Sequence, residues 1–285
     1  MTDSRRYREI GVTPLSAALG AQIDGADLAQ PLSDSVMAEL KDAFATYSVI
    51  FFRDQSLSPQ QHIDLAEQWG KININRFFKP LDGYPQIAEV IKTPDQKENI
   101  GGTWHTDHSY DQIPAMGSML YARQVPPAGG DTLFSSMTLA FEALSDGMKK
   151  TLLGLNAWHS SRHAFGYGVS DSEHYEDGRL ANPELAVQDA LHPVIITHPL
   201  SGKKALYVNA DFTVRFDGWT IEESQPLLDF LYAHGAREEF TCRFEWQEGS
   251  IALWDNRATW HNAMNDYHGH RRVMHRITLE GVALQ

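Results

Sequence analysis

Apolar positions recur along the chain with two different periods, and the change from one to the other divides it. From Ser33 onward Val36, Leu40, Ala43, Phe44 and Tyr47 follow helical spacing. The run Ser48–Phe52 (SVIFF) then reads as a buried strand. Ser58-Pro59-Gln60-Gln61 forms a helix start in which Ser58 caps, Pro59 suits the first helical position and Gln61 closes a capping box, with Gly70 placed to end the helix. Thr220–Glu223 is a second capping box, opening a helix that buries Leu227, Leu228, Leu231 and Tyr232. Elsewhere strand patterns dominate: Arg8–Val12, Ala21–Ile23, Gln86–Ile91, Gly117–Val125, Thr132–Ser136, Pro193–Thr197, Ala205–Asn209, Phe240–Phe244, Ser250–Trp254 and Arg272–Leu279. The polar, acidic stretch Ser170–Leu191 has no clear period and reads as a surface insertion or lid. The expectation is a mainly β fold with flanking helices around a barrel or sandwich core, as one domain over residues 1–285.

Composition changes this picture little and charge changes it more. Hydrophobic residues make up 42% and charged residues 21%, as in an ordinary globular chain, which excludes disorder as the main state. Lys+Arg 24 against Asp+Glu 37 leaves a formal charge of −13, so nucleic acid and anionic membrane surfaces are not expected partners. A small anionic substrate remains compatible, because a few buried arginines can hold it against the global field. One cysteine, Cys242, forms no intramolecular disulfide, and no apolar run is long enough for a membrane span or signal peptide; a cytoplasmic protein is expected.

Of the 13 histidines, most have surface or core explanations. The exception is Trp104-His105-Thr106-Asp107-His108. In extended chain His105 and Asp107 project from one face and can meet one metal ion, while His108 points the other way. The best third ligand is His261, which follows a strongly β-like segment. Two histidines and a carboxylate on one face of an octahedron leave positions open for a co-substrate and O2, the arrangement of non-heme Fe(II) oxygenases. Arg272 and Arg276 share one face of a strand with Met274 between them. Guanidinium groups facing inward are costly to desolvate unless they meet anions, so the pair suggests two carboxylate-like groups.

The motifs WHTDHSY (Trp104–Tyr110), PPAGGDTLFSS (Pro126–Ser136), LYVN (Leu206–Asn209) and WDNRATWHNAMNDY…RRVMHR (ending at Arg276) come in the order and spacing of a known family. The chain resembles, over about residues 12–280, the Fe(II)/2-oxoglutarate-dependent taurine dioxygenase and dichlorophenoxyacetate dioxygenase (TauD/TfdA) family. The resemblance implies a double-stranded β-helix, a cupin-like jelly-roll. It makes His105, Asp107 and His261 the Fe(II) ligands and the catalytic centre. Thr132 and Arg272 hold the distal carboxylate of 2-oxoglutarate, and Arg276 pairs with an acidic group of the prime substrate or lies beside the metal. It also implies oxidation of an aliphatic C–H of a small organic acid by O2, with release of succinate and CO2, and a homo-oligomer, dimer or tetramer. Where taurine-specific members place a sulfonate-binding histidine and a neighbouring tyrosine, this chain has Asn75 and Phe78. Ile100, Gly101 and Gly102 with Phe78 and Phe212 point to an apolar pocket for a bulkier acid, closer to the aryloxyalkanoate-cleaving branch; a carboxylate is expected over a sulfonate. Other readings are a sulfonate- or alkyl sulfate-cleaving member, an oxygenase without 2-oxoglutarate, a zinc hydrolase and a non-catalytic small-acid sensor. The pairing of Thr132 with Arg272 disfavours the 2-oxoglutarate-independent oxygenase.

Overall fold

The structure is a computed structural model that describes residues 6–285. Its largest sheet runs, in spatial order, through Gly11–Pro14, Ala21–Asp24, Val49–Phe52, Ile251–Asp255, Gly117–Gln124, Arg272–Leu279, Tyr84–Lys92 and Pro80–Leu81. Every pairing in it is antiparallel except that of Ala21–Asp24 with Val49–Phe52. A smaller sheet places Thr132–Ser136 between Thr241–Phe244 and Thr259–Ala263.

Strand alternation decides what each face covers. Ile50, Phe52, Met119, Tyr121, Ile251, Leu253, Ile277 and Leu279 pack on one side against Leu40, Phe44, Ile63 and Leu65 of the helices Asp34–Tyr47 and Pro59–Trp69. Val49, Phe51, Leu120, Ala122, Ala252, Trp254 and Met274 face the other way and meet Phe134, Cys242 and Phe244 of the smaller sheet. Two facing sheets with an apolar interlayer and helices outside are the expected mainly β, double-stranded β-helix architecture. Arg272 and Arg276 share the inward face with Met274, so their guanidinium groups enter the interlayer.

Both capping boxes form: Ser58 with Gln61 opens Pro59–Trp69, and Thr220 with Glu223 opens Ile221–Gly235. On the latter, Leu228 and Leu231 are buried, while Leu227 and Tyr232 are only half-buried. Several strand boundaries differ from expectation for identifiable reasons. The first strand is Gly11–Pro14 rather than Arg8–Val12, because the Glu39 carboxylate accepts the backbone N–H groups of Arg8, Glu9 and Ile10 and removes them from any ladder. Ser48 is the left-handed cap of the first helix (φ 63°), so the next strand begins at Val49. The run Pro193–Thr197 divides into the end of Asp189–Pro193 and a separate Ile195–Thr197, and Ala205–Asn209 contracts to Lys204–Leu206. Residues 189–191 thus belong to a strand, and only the stretch before them is lid-like, built from the short helices Tyr167–Val169, Glu173–Glu176 and Pro183–Leu185. Among the described residues no helix is long and apolar enough to cross a membrane.

Candidate metal centre and its cavity

His261 follows the strand Ile251–Asp255, as expected, and itself lies inside a further strand, Thr259–Ala263. His105 reaches it through an isolated antiparallel bridge: the His105 N–H donates to the His261 carbonyl at 3.1 Å, and the His261 N–H donates back at 2.8 Å. Main-chain pairing therefore fixes two imidazoles side by side, with ring centroids 4.1 Å apart. Asp107 completes the group, and one donor atom from each of the three residues lies within 4.8 Å of the others. His105 Nε2 is 3.7 Å from Asp107 Oδ1, and His261 Nε2 is 4.0 Å from Asp107 Oδ2. Donors each about 2.1 Å from one ion sit at most about 4.2 Å apart, so these separations suit a shared cation.

Neighbours orient each donor. The Thr103 carbonyl is 2.8 Å from His105 Nδ1, which leaves Nε2 for a metal. Ser118 Oγ donates to Asp107 Oδ2 at 2.7 Å and is itself met by Asn256 Nδ2 at 3.3 Å. Gly101 has φ +81°, and a Cβ there would lie 3.2 Å from His105 Cε1, so a residue without a side chain suits this turn twice over. Burial pushes the Asp107 carboxyl up, but Arg276, His261 and His105 together outweigh it and hold the group ionised. Burial, then the neighbouring His105, lowers His261 to about 3, keeping its imidazole neutral and ready to ligate.

The turn that delivers His261 rests on a buried ion cluster absent from the sequence-based candidates. Arg257 Nε and Nη2 donate to the two oxygens of Asp255 at 2.8 and 2.7 Å, and His198 Nε2 lies 2.9 Å from Asp255 Oδ2. This cluster holds the turn by which the chain leaves Ile251–Asp255 in the large sheet and enters Thr259–Ala263 in the small one. The motif residue Asn209 is likewise structural: its Nδ2 donates to Ser109 Oγ, and its Oδ1 accepts from the Phe212 N–H.

A cavity of roughly 400 Å3 opens beside the three donors, and its wall contains Asn75, Phe78, Ile100, Gly101, Thr132, Phe212, Arg272 and Arg276. The sequence-predicted site residues are thereby brought together, with the exception of Gly102. Gly102 is not among the lining residues; a Cβ there would meet Asn99 Oδ1 at 2.7 Å. Arg272 is buried, with Nε and Nη2 lacking any protein partner. Thr132 Oγ1 accepts from Trp246 Nε1 at 3.0 Å, which leaves its hydroxyl hydrogen free. A desolvated guanidinium with vacant donors is stable only if an anion completes it, so this corner fits a carboxylate. Arg276 Nη1 lies 3.4 Å from Asp107 Oδ1, its guanidinium is 4.3 Å from the centre of the Phe78 ring, and its Nε is unpartnered. Asn75 Oδ1 accepts the N–H groups of Phe77 and Phe78, which shapes this wall and leaves the Nδ2 end unclaimed.

His108 departs from expectation. Its φ of +58° places it in the left-handed region, which breaks strand alternation and turns its ring to the same cavity as Asp107. The lid supplies His174 and Leu180 to the wall, and the short helix Arg162–Phe165 that precedes it supplies His163, Ala164 and Phe165, a contribution the sequence could not assign. The lid is latched by Arg179, whose Nη1 donates to the Glu98 carbonyl and whose Nε donates to Asp177, both at 2.7 Å.

The comparisons with known proteins agree over almost the full length. The family model described as "Taurine catabolism dioxygenase TauD, TfdA family" matches residues 11–278. An alkylsulfatase of Acinetobacter baylyi is 33% identical over 96% of this chain and 86% of its own. An alpha-ketoglutarate-dependent 2,4-dichlorophenoxyacetate dioxygenase of Cupriavidus pinatubonensis is 31% identical over 93% of this chain and 96% of its own. The crystal structure of a taurine dioxygenase from Burkholderia xenovorans superposes with a TM-score of 0.81 at 33% identity, covering 97% of this chain and 92% of that one.

Proposed function

The chain belongs to the taurine catabolism dioxygenase TauD, TfdA family, and within that family we propose that it oxidises an aliphatic C–H of a small organic acid, with a carboxylate as the substrate's anionic end. As a member it is an Fe(II)- and 2-oxoglutarate-dependent dioxygenase, an oxidoreductase. When bound, iron with 2-oxoglutarate and O2 supplies the oxidising power for C–H hydroxylation, with succinate and CO2 as co-products.

In this reading His105, Asp107 and His261 hold the iron. Arg272 and the Thr132 hydroxyl bind the far carboxylate of 2-oxoglutarate. The observation that carries the assignment is the buried Arg272 guanidinium with two unpartnered donors on the cavity wall. Arg276 anchors the substrate: once a metal shares the charge of Asp107, the guanidinium needs another anion, and its fork fixes direction as well as distance. Phe78, Ile100, Gly101 and Phe212 provide an apolar wall for the rest of the acid, Asn75 borders its anionic end, and the lid residues exclude water. An aryloxyalkanoate fits this division, and hydroxylation at a carbon bearing oxygen would then cleave the ether. A second reading, an alkyl sulfate, has support from the alkylsulfatase relative, because a guanidinium serves a sulfate equally well. A single dioxygenase domain, a cytoplasmic location and a homo-oligomeric state belong to the same proposal; light scattering on the purified protein tests the last.

The deciding experiment screens aryloxyalkanoates, other carboxylates, sulfonates and alkyl sulfates without oxygen for perturbation of the Fe(II)–2-oxoglutarate absorption, then measures succinate after O2 is admitted. Succinate coupled to a carboxylate acid supports the first reading, and coupling only to sulfates replaces it by the second. Arg276→Ala is expected to depress substrate turnover more than uncoupled 2-oxoglutarate decay; equal losses remove Arg276 from the substrate site.

A further inference from the structure

One polar group on the cavity wall has no part in the scheme above. His108 is buried at 2% exposure, and its Nε2 finds no hydrogen-bond partner in the protein. An unmatched ring nitrogen in so enclosed a place carries a desolvation cost that a ligand group would remove. The other nitrogen is fully committed: Nδ1 lies 3.1 Å from Asp111 Oδ2, and Arg76 Nη2 donates to both oxygens of Asp111 at 2.6 and 2.8 Å. A carboxylate held this way accepts and does not donate, so Nδ1 carries a hydrogen toward Asp111 and Nε2 is the ring atom left for a ligand. The turn that creates this arrangement is strained. His108 occupies the left-handed region, and the Asp111 N–H donates to the His108 carbonyl at 3.0 Å, bringing the Asp111 carboxylate beneath the ring. Arg76 comes from the segment that also carries Asn75 and Phe78, so the relay ties His108 to the proposed substrate wall.

We propose that His108 is a substrate-contacting residue whose Nε2 makes a hydrogen bond with a hydroxyl group on the organic acid, so that the site selects acids bearing one. The inference rests on the organic-acid reading and adds to it. Arg276 and His108 divide the work: the guanidinium draws the anionic end, and the imidazole meets the hydroxyl. The two groups thus set which end of the substrate goes where. A site with a buried polar atom discriminates strongly against an analogue that leaves it unpaired.

The test measures anaerobic equilibrium binding to the Fe(II)–2-oxoglutarate protein by calorimetry, using phenoxyacetate and its ortho, meta and para hydroxyl derivatives. One hydroxylated isomer is expected to bind at least about 5-fold tighter than phenoxyacetate, the lower end of the range for satisfying a buried polar atom. In His108→Phe that preference should fall to within about twofold, and His108→Gln, whose amide oxygen can occupy the Nε2 position, should restore part of it. The ratio of affinities is insensitive to the fraction of protein correctly folded, so a purely structural role would not move it. If no isomer is preferred, or if the preference survives in His108→Phe, the proposal falls while the organic-acid reading stands. If neither phenoxyacetate nor any derivative binds wild-type protein, the aryloxy form of that reading fails and this inference fails with it.

Discussion

The cavity has two walls of unlike construction. One is strand-borne: His261, Thr132, Arg272 and Arg276 stand on ladders of the two facing sheets, and His105 is stitched to His261 by reciprocal main-chain bonds. The other consists of the 75–78 segment and the lid, joined by a Phe78–Leu180 bridge and a bond from the Ala181 N–H to the Phe77 carbonyl, with the Arg179 latch tying the lid to Glu98. Short helices and side-chain clamps cost less to open than sheet ladders, so chemistry is assigned to the stiff wall and selection of the substrate to the adaptable one.

The largest expected break in this contrast comes at the base of the stiff wall. Asp255→Ala leaves the buried Arg257 without its partner and should destabilise the fold by about 3–5 kcal/mol, read from the midpoint of urea unfolding. Arg272→Met should act in the opposite sense on stability. Removing a desolvated, unpaired guanidinium is expected to stabilise protein free of co-substrate by about 1 kcal/mol while raising the 2-oxoglutarate requirement about 100-fold. A loss of stability on that substitution would show that Arg272 serves the scaffold and not the co-substrate. On the adaptable wall, Arg179→Ala should leave the melting temperature within about 2 °C but raise the substrate KM several-fold, because the lid loses its latch and not its core.

A further effect is a pH dependence seated away from the cavity wall, small over any one pH unit. Burial, then the nearby His275 and Arg123, lowers His62 to about 3, and neither of its ring nitrogens has a partner. An unfolded chain protonates this histidine near pH 6.5 while the folded one resists, so stability is full above about 6.5 and declines as pH falls toward 3. The slope from this group is at most about 1.4 kcal/mol per pH unit, and His62→Leu should flatten the acid limb of the stability curve by that amount.

What could be read from the sequence follows the same division between walls. The strand Arg272–Leu279 has the predicted ends, because its period-two pattern is written within eight residues. Both capping boxes formed for the same reason, since their chemistry is local. The strand Thr259–Ala263 is not legible in the sequence: Thr-Trp-His-Asn-Ala lacks a period-two apolar pattern, and its pairing partner, Thr132–Ser136, lies far off in sequence. Asn156–Ser160 and Thr213–Phe216 escaped similarly, each defined by a long-range ladder. The orientation of His108 differs from the alternation rule because that rule assumes a negative φ, and nothing local in WHTDHSY announces the left-handed turn. Lid residues such as His174 and Leu180 have no periodic signal, since they are placed by clamps to remote segments.

The reciprocal bonds between His105 and His261 carry one more implication. A centre knit together by the peptide backbone has its shape before any cargo arrives, so loading requires no refolding and stripping leaves no collapse. Chelated protein should keep its near-ultraviolet circular dichroism and regain full occupancy within mixing time, in contrast to small zinc modules that exist only around their ion. Scarcity of iron would then idle this enzyme without condemning it to degradation.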